Sequence, residues 1–232
     1  MTPPSDELGY IDSAQQLATA ERSWSPRQLL EAATRAELRH TGWPIGVVLS
    51  TPEYAPMPTE DGVEFKKRWP NHESESWEDY WHFRVDGRYF VSRLFEEDRY
   101  PASFQSGDGH PERPFWFDTR IWRIAEVVLH SAKLYASLGI PPSERYRLSV
   151  KHLGLDGREF WKSDAGRFLR RGRFCRAKRS SWEREVTQDL VVADLPALVF
   201  EISEPLFALF AFMEISESVV QEIVAQFLRS RV

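Results

Sequence analysis

The sequence predicts an α+β fold: a mixed sheet with two β-hairpins, packed by a central helix and by C-terminal helices. Three observations carry that prediction. Two aromatic-rich, partly alternating stretches each hold an Asp-Gly pair, Asp86-Gly87 and Asp156-Gly157, and Asp-Gly between such runs is a strong hairpin signal. Between them Ile121, Ile124, Ala125, Val128, Ala132 and Tyr135 recur at the spacing of one buried helical face. Strands and helices do not alternate regularly, which argues against a parallel α/β sheet.

Taken in order, residues 1–23 are polar and weakly periodic and read as a flexible arm. The remainder, 24–232, reads as one α+β domain, with a division into two lobes (24–114 and 115–232) as the alternative. Ser25 caps a helix over 26–40; Pro26 suits its first turn and Gln28 completes a Ser-x-x-Gln capping box. Leu29, Ala33, Ala36 and His40 then share one side. Ile45, Val47, Val48 and Leu49 read as a buried strand. The stretch 51–70, with Pro52, Pro56, Pro58 and Pro70, reads as loop carrying a short helix near Val63 to Trp69. Tyr80 to Phe95 forms the first hairpin. Phe115 to Phe117 makes a short strand leading to Asp118, the expected cap of the central helix 118–138, which Gly139 and Pro141 end. Tyr146 to Trp161 forms the second hairpin. Glu185 to Val192 returns to the sheet, Asp194 caps a helix through Glu204, and Pro205 opens a further segment at its permitted first position. Ser216 caps the last helix, with Val219, Val220, Ile223, Val224, Phe227 and Leu228 as its buried side.

The chain has 232 residues, 42% hydrophobic and 13% aromatic, enough for a substantial core. Cys175 is the only cysteine, which excludes an intrachain disulfide or a cysteine zinc cage and fits a reducing, cytoplasmic compartment. No basic-then-apolar leader opens the sequence. The most apolar run, Leu195 to Met213, is broken by Glu201, Glu204 and Pro205, so no membrane span is expected.

At HTGWPIGVVL (40–49), DYW (Asp79 to Trp81), YFVSRLFEED (Tyr89 to Asp98), WFDTRIWRIAE (Trp116 to Glu126), LGI (Leu138 to Ile140), HLGLDGR (His152 to Arg158) and PLFALF (Pro205 to Phe210), the chain resembles the C-terminal region of bacterial Schlafen-like proteins. Their N-terminal part is an AlbA-type domain that binds nucleic acid or ATP. The likeness covers about Ser25 to Val232 and lies in fold-defining strings. It implies an accessory module with a regulatory or defence-related role that senses a ligand or binds a partner. The nucleotide chemistry of the N-terminal domain does not carry over to these residues.

Charge supplies the sharpest candidate site. The stretch 167–184 holds eight basic residues against the single acid Glu183, whereas the rest of the chain keeps 22 basic residues against 34 acidic ones. Arg167, Arg170, Arg171, Arg173, Arg176, Lys178 and Arg179 are the candidates for binding phosphates or an acidic partner, because guanidinium groups donate in bidentate pairs and nearby aromatics stack on bases. The plainer readings are neutralisation of the acidic body or a solvated connector. Trp69, Trp77 and Trp182 are the candidate aromatic partner surface. Cys175 lies in the cationic field, which would favour thiolate; packing as a small apolar residue is the alternative. Asp61, Glu64 and Lys66 carry the Glu-x-Lys ending of some metal-dependent nucleases, without the first acid on a separate strand. The six histidines show no metal-ligand spacing. No phosphate-binding glycine loop or nucleophile elbow occurs, so no catalytic residue, cofactor or metal is expected. A protein partner is the leading expectation and nucleic acid the second, with oligomeric state open.

Overall fold

The computed structural model describes residues 8–18, 22–38, 40, 43–68, 77–99, 111–162 and 172–230. Its elements run β1 (Tyr10–Leu17), α1 (Pro26–Ala36), β2 (Met57–Thr59), β3 (Gly62–Arg68), β4 (Trp77–Arg84), β5 (Tyr89–Leu94), α2 (Glu96–Arg99), β6 (Pro114–Trp116), α3 (Phe117–Ser137), β7 (Tyr146–Leu153), β8 (Glu159–Trp161), β9 (Arg179–Val186), α4 (Gln188–Ala193), α5 (Leu195–Ala208) and α6 (Glu217–Arg229). The α+β class holds. Seven strands pair antiparallel in the order β2-β3-β4-β5-β1-β7-β9, and β6 with β8 makes a separate parallel pair.

The largest correction falls on the expected arm. Residues 10–17 form β1, an interior strand, fifth of the seven, which pairs with β5 on one side and β7 on the other. Its core-facing positions are Ile11, Ser13, Gln15 and Leu17, all at most 3% exposed. Two of these four are polar, and Ser13 Oγ and Gln15 Oε1 find no hydrogen-bond partner among the described residues. Alternation is therefore present in burial but weak in hydropathy.

A second correction concerns Ile45 to Leu49. Ile45 and Val47 are buried as expected, but the segment is a turn followed by irregular chain. Gly46 sits at φ +69°, and a Cβ there would lie 2.5 Å from His130 Nε2, so the backbone turns where only glycine fits. The Trp81 indole N–H donates to Val47 O at 2.9 Å, which satisfies a carbonyl that a strand would have paired.

Residues 51–56 are irregular as expected, but β2 and β3 then stand where further loop and a short helix were expected. Val63 and Phe65 point into the core while Glu64 and Lys66 point out, a period of two that short length and neighbouring prolines concealed. The Asp86-Gly87 turn does close a hairpin, β4–β5, with Gly87 at φ +80°. The Asp156-Gly157 turn does not. It leads from β7, which pairs with β1 and β9, to β8, which pairs with β6. The second expected hairpin is thus two strands of different sheets.

Helices are closer to expectation. Ser25 and Gln28 form the capping box, although α1 ends at Ala36. The central helix begins at Phe117 with Trp116 at the cap position, which leaves Asp118 in the first turn. Gly139, at φ +74°, ends it. After β9, the expected strand 185–192 is mostly α4, and α5 runs unbroken through Pro205. On α6, Val220, Val224 and Phe227 are buried, whereas Leu228 is exposed.

The helices pack on one face of the sheet. Val63, Phe65, Trp81, Phe83, Val91, Leu148 and Val150 from the strands share a core with Leu29, Ile121, Ile124, Val128, Leu198 and Val224 from the helices. On the opposite face Ala14, Gln16, Arg147 and Lys151 are exposed. Among the described residues no helix is long and apolar enough to cross a membrane.

Candidate functional site

Aromatic packing positions the described part of the basic stretch. Phe160 on β8 stacks among Phe117, at 5.0 Å, and Phe207 and Phe210 of the α5 region, at 5.3 and 5.4 Å. Residues 173–175 lie antiparallel along β8: Phe160 N donates to Arg173 O and Cys175 N to Arg158 O, each at 2.9 Å. The Gly172 N–H adds a 2.7 Å bond to the Glu159 carboxylate. Alternation along this segment then turns Cys175 into the core and Phe174 outward, where it is 50% exposed.

Burial raises the Cys175 thiol above its usual range, and its Sγ donates to Ala177 O at 3.4 Å. The cationic field does not produce a thiolate, and this cysteine is a packing residue.

The same segment reaches the end of α5. Arg173 Nη1 donates to Ala211 O at 3.2 Å. Ala211 and Phe212 hold φ of 52° and 57°, the left-handed region, without being glycine, at a cost of about 1–2 kcal/mol each. Phe212 is 87% exposed. A strained backbone thus presents a solvent-facing aromatic beside a guanidinium. Arg176 and Lys178 are also exposed, and Arg179 opens β9. Arg167, Arg170, Arg171 and Trp69 lie outside the described residues, and Trp77 is described only as the first residue of β4. Trp182 does not belong to an open aromatic surface. It packs partly against the core, and its indole N–H donates to Glu201 Oε1 at 3.1 Å, while Arg184 holds Glu201 Oε2 at 2.6 Å.

A second concentration of charge is buried, and the sequence reading missed it. At the junction of β5, α2 and α3, Arg93, Arg120 and Arg158 are at most 1% exposed. Arg123 Nε donates to Glu96 Oε1 at 2.6 Å, and Arg120 binds Glu96 and, at 3.2 Å, Glu97. Arg93 and Arg123 both donate to Trp43 O, at 2.6 and 3.1 Å. The Trp43 indole N–H reaches Asp79 at 2.8 Å. Arg158 ties Asp98, Gly154 O and Pro114 O together. Burial pushes the Glu96 carboxyl up, but Arg123, Arg120 and Arg93 outweigh it and hold it well below the usual carboxylate range. Burial dominates at Asp79 and Glu97, whose carboxyls are raised despite their arginine partners. These charges pair with one another where β5, α2, β6 and α3 meet, although Asp79 Oδ1, Arg93 Nε and Nη2, and Arg120 Nε and Nη1 have no hydrogen-bond partner among the described residues. Desolvation offsets much of the attraction in buried pairs of this kind, whereas removing one partner leaves a buried charge uncompensated.

The nuclease-like string resolves into surface pairs. Asp61 sits in the β2–β3 turn and holds His82 at 3.1 Å and Arg84 at 2.5 Å, and Lys66 pairs with Glu64 at 2.6 Å. Among the described residues no three His, Cys, Asp or Glu side chains could jointly hold a metal. His130 and His152 are buried, His130 against the Tyr89 ring at 5.3 Å, and His40 packs on Phe227 at 4.8 Å.

No protein-family model, curated protein or solved structure matches this chain.

Proposed function

We propose that the chain is a non-enzymatic sensing and protein-interaction module of Schlafen-like type, and that Arg173, Phe174, Arg176 and Phe212 form its recognition surface. The observation that carries this reading is Phe212, a large apolar ring held 87% exposed on left-handed backbone. Strain at a non-glycine position persists only where the surroundings enforce it, and it clusters at binding sites. Exposed aromatics beside arginine are the residue types that dominate interface energetics. The cationic side chains select an acidic partner. An acidic protein segment with an apolar anchor would seat the anchor against Phe212 and Phe174 and its carboxylates on Arg173 and Arg176.

A second reading, single-stranded nucleic acid, is favoured by Phe174 standing exposed between Arg173 and Arg176, since a base could stack there with phosphates on either side.

Fluorescence anisotropy of labelled acidic, aromatic-containing peptides separates these readings when run beside single-stranded RNA and duplex DNA across a salt series. The proposal expects saturable peptide binding that weakens by about tenfold in Phe212→Ser and in Arg176→Ala. Nucleic-acid binding with a steep salt slope that flattens in Arg173→Ala/Arg176→Ala would replace the peptide reading with the second. Absence of binding to all three probes at low salt would overturn both.

A further inference from the structure

The solvent-facing side of the sheet carries a groove that neither the basic stretch nor the buried charges account for. Strand register explains it. Across β4, β5, β1, β7 and β9 the residues His82, Phe90, Ala14, Ser149 and Glu183 stand side by side in one row. Paired residues share a face, so two small side chains, Ala14 and Ser149, lie between a phenyl ring and a carboxylate. The floor is low there because nothing longer than a hydroxymethyl rises from it. Along one edge Gln16 pairs with Arg147, and Arg84 and Arg88 flank the β4–β5 turn. The resulting groove, of about 290 Å³, is lined by all of these residues, near the lower end of the ~300–1,000 Å³ typical of small-molecule sites.

Its polar groups are only partly committed. Arg84 is held by Asp61 at 2.5 Å, and Arg88 by Asp86. Arg147 and Glu183 form a loose pair at 3.7 Å, with side chains 60% and 57% exposed. A pair that long and that solvated holds its partners weakly. A ligand that brings an anion for Arg147 and N–H donors for Glu183 can part it without leaving either charge unmatched. The same ligand must be flat, to lie over Ala14 and Ser149 with its edge against Phe90.

We propose that this groove binds an amino-bearing purine nucleotide. The base lies on the Ala14–Ser149 floor against Phe90, Glu183 accepts from its N–H groups, and Arg147 and Arg88 hold its phosphate. The site is separate from the Arg173–Phe212 surface and stands or falls without it.

Equilibrium dialysis of the full chain with labelled GMP and AMP tests the site, with a single-stranded oligoadenylate in parallel. Saturable mononucleotide binding at or below ~1 mM is expected, weakened about tenfold in Arg147→Ala and abolished in Ala14→Leu, which fills the floor. Ala14 is exposed and Arg147 mostly so, so both variants are expected to keep the wild-type melting temperature. Arg145→Ala, outside the groove, should bind like wild type. If the oligoadenylate binds more tightly than AMP and is equally sensitive to Ala14→Leu, the nucleotide comes from a single strand; if it does not, the ligand is the free nucleotide. No binding of any of the three probes at ~1 mM, or binding indifferent to Ala14→Leu, overturns the proposal.

Discussion

His130 shows how a single ring can govern pH behaviour. It is fully buried, and among the described residues neither ring nitrogen has a hydrogen-bond partner. Burial, with Lys133 nearby, lowers its pKa to about 4 from the usual 6.5. Burial and Arg120 lower His152 to about 3. In the unfolded chain both protonate near 6.5, while in the folded protein they stay neutral to lower pH. Their contribution is therefore complete above pH 6.5 and is lost as pH falls from there toward 4 and 3. Urea unfolding between pH 4 and 6.5 should show the slope of stability against pH reduced in His130→Leu by about 1.4 kcal/mol per pH unit; an unchanged slope would mean that the ring is already charged in the native state. The arginines around Glu96 and Glu97 make a second test at this scale. Arg120→Met takes an ion-pair partner from Glu97, whose carboxyl is already raised and which keeps the Trp116 N–H, and should cost about 3–5 kcal/mol in denaturant unfolding. Adding Glu97→Gln to that variant should recover part of the loss.

At the scale of elements, regularity in the sequence decided what could be read. The capping box of Ser25 and Gln28, the β4–β5 turn and the repeat along α3 are local signals, and the structure follows them. The misread elements are those whose local chemistry and tertiary setting disagree. β1 faces the core with Ser13 and Gln15, so its hydropathy does not alternate. β3 has only Val63 and Phe65 to mark it. Ile45 to Leu49 has strand composition, but Gly46 must let the backbone pass His130 and Tyr89. Gly46→Ala tests that account: left-handed backbone and the clash with His130 together should lower stability by about 2–4 kcal/mol, read as a shifted denaturation midpoint. The buried charges had a legible trace. Arg120, Arg123 and Glu126 recur every three residues on a helix whose remaining positions are largely apolar, and a helix buried nearly all round must bury its charges too. The basic stretch showed its composition but not its geometry, because the partner of Arg173 is a carbonyl 38 residues away, at Ala211.

For the whole molecule, β1 is the element that joins the two halves of the sheet. It lies between the hairpin strand β5 and the later strand β7, so a boundary near 114/115 would divide strands that share one ladder system through it. A chain starting at residue 24 should lose cooperative folding, with a broadened thermal transition by circular dichroism. A chain starting at residue 8 should retain it. Equal melting of the two would return residues 10–17 to the status of an arm.

The position of β1 also has a consequence in time. Its partner β7 is made more than a hundred residues later, with Leu153 opposite Tyr10. At the ribosome's pace of about 5–20 residues per second, β1 waits on the order of seven to thirty seconds for that strand. Until then β5 can cover one of its edges but not the other, and its core face, with Ile11 and Leu17, has no finished layer against it. A nascent chain in that interval exposes an unpaired strand edge, the feature by which incomplete sheets find wrong partners. Its closure late in synthesis turns an edge left open for much of translation into an interior position of the sheet.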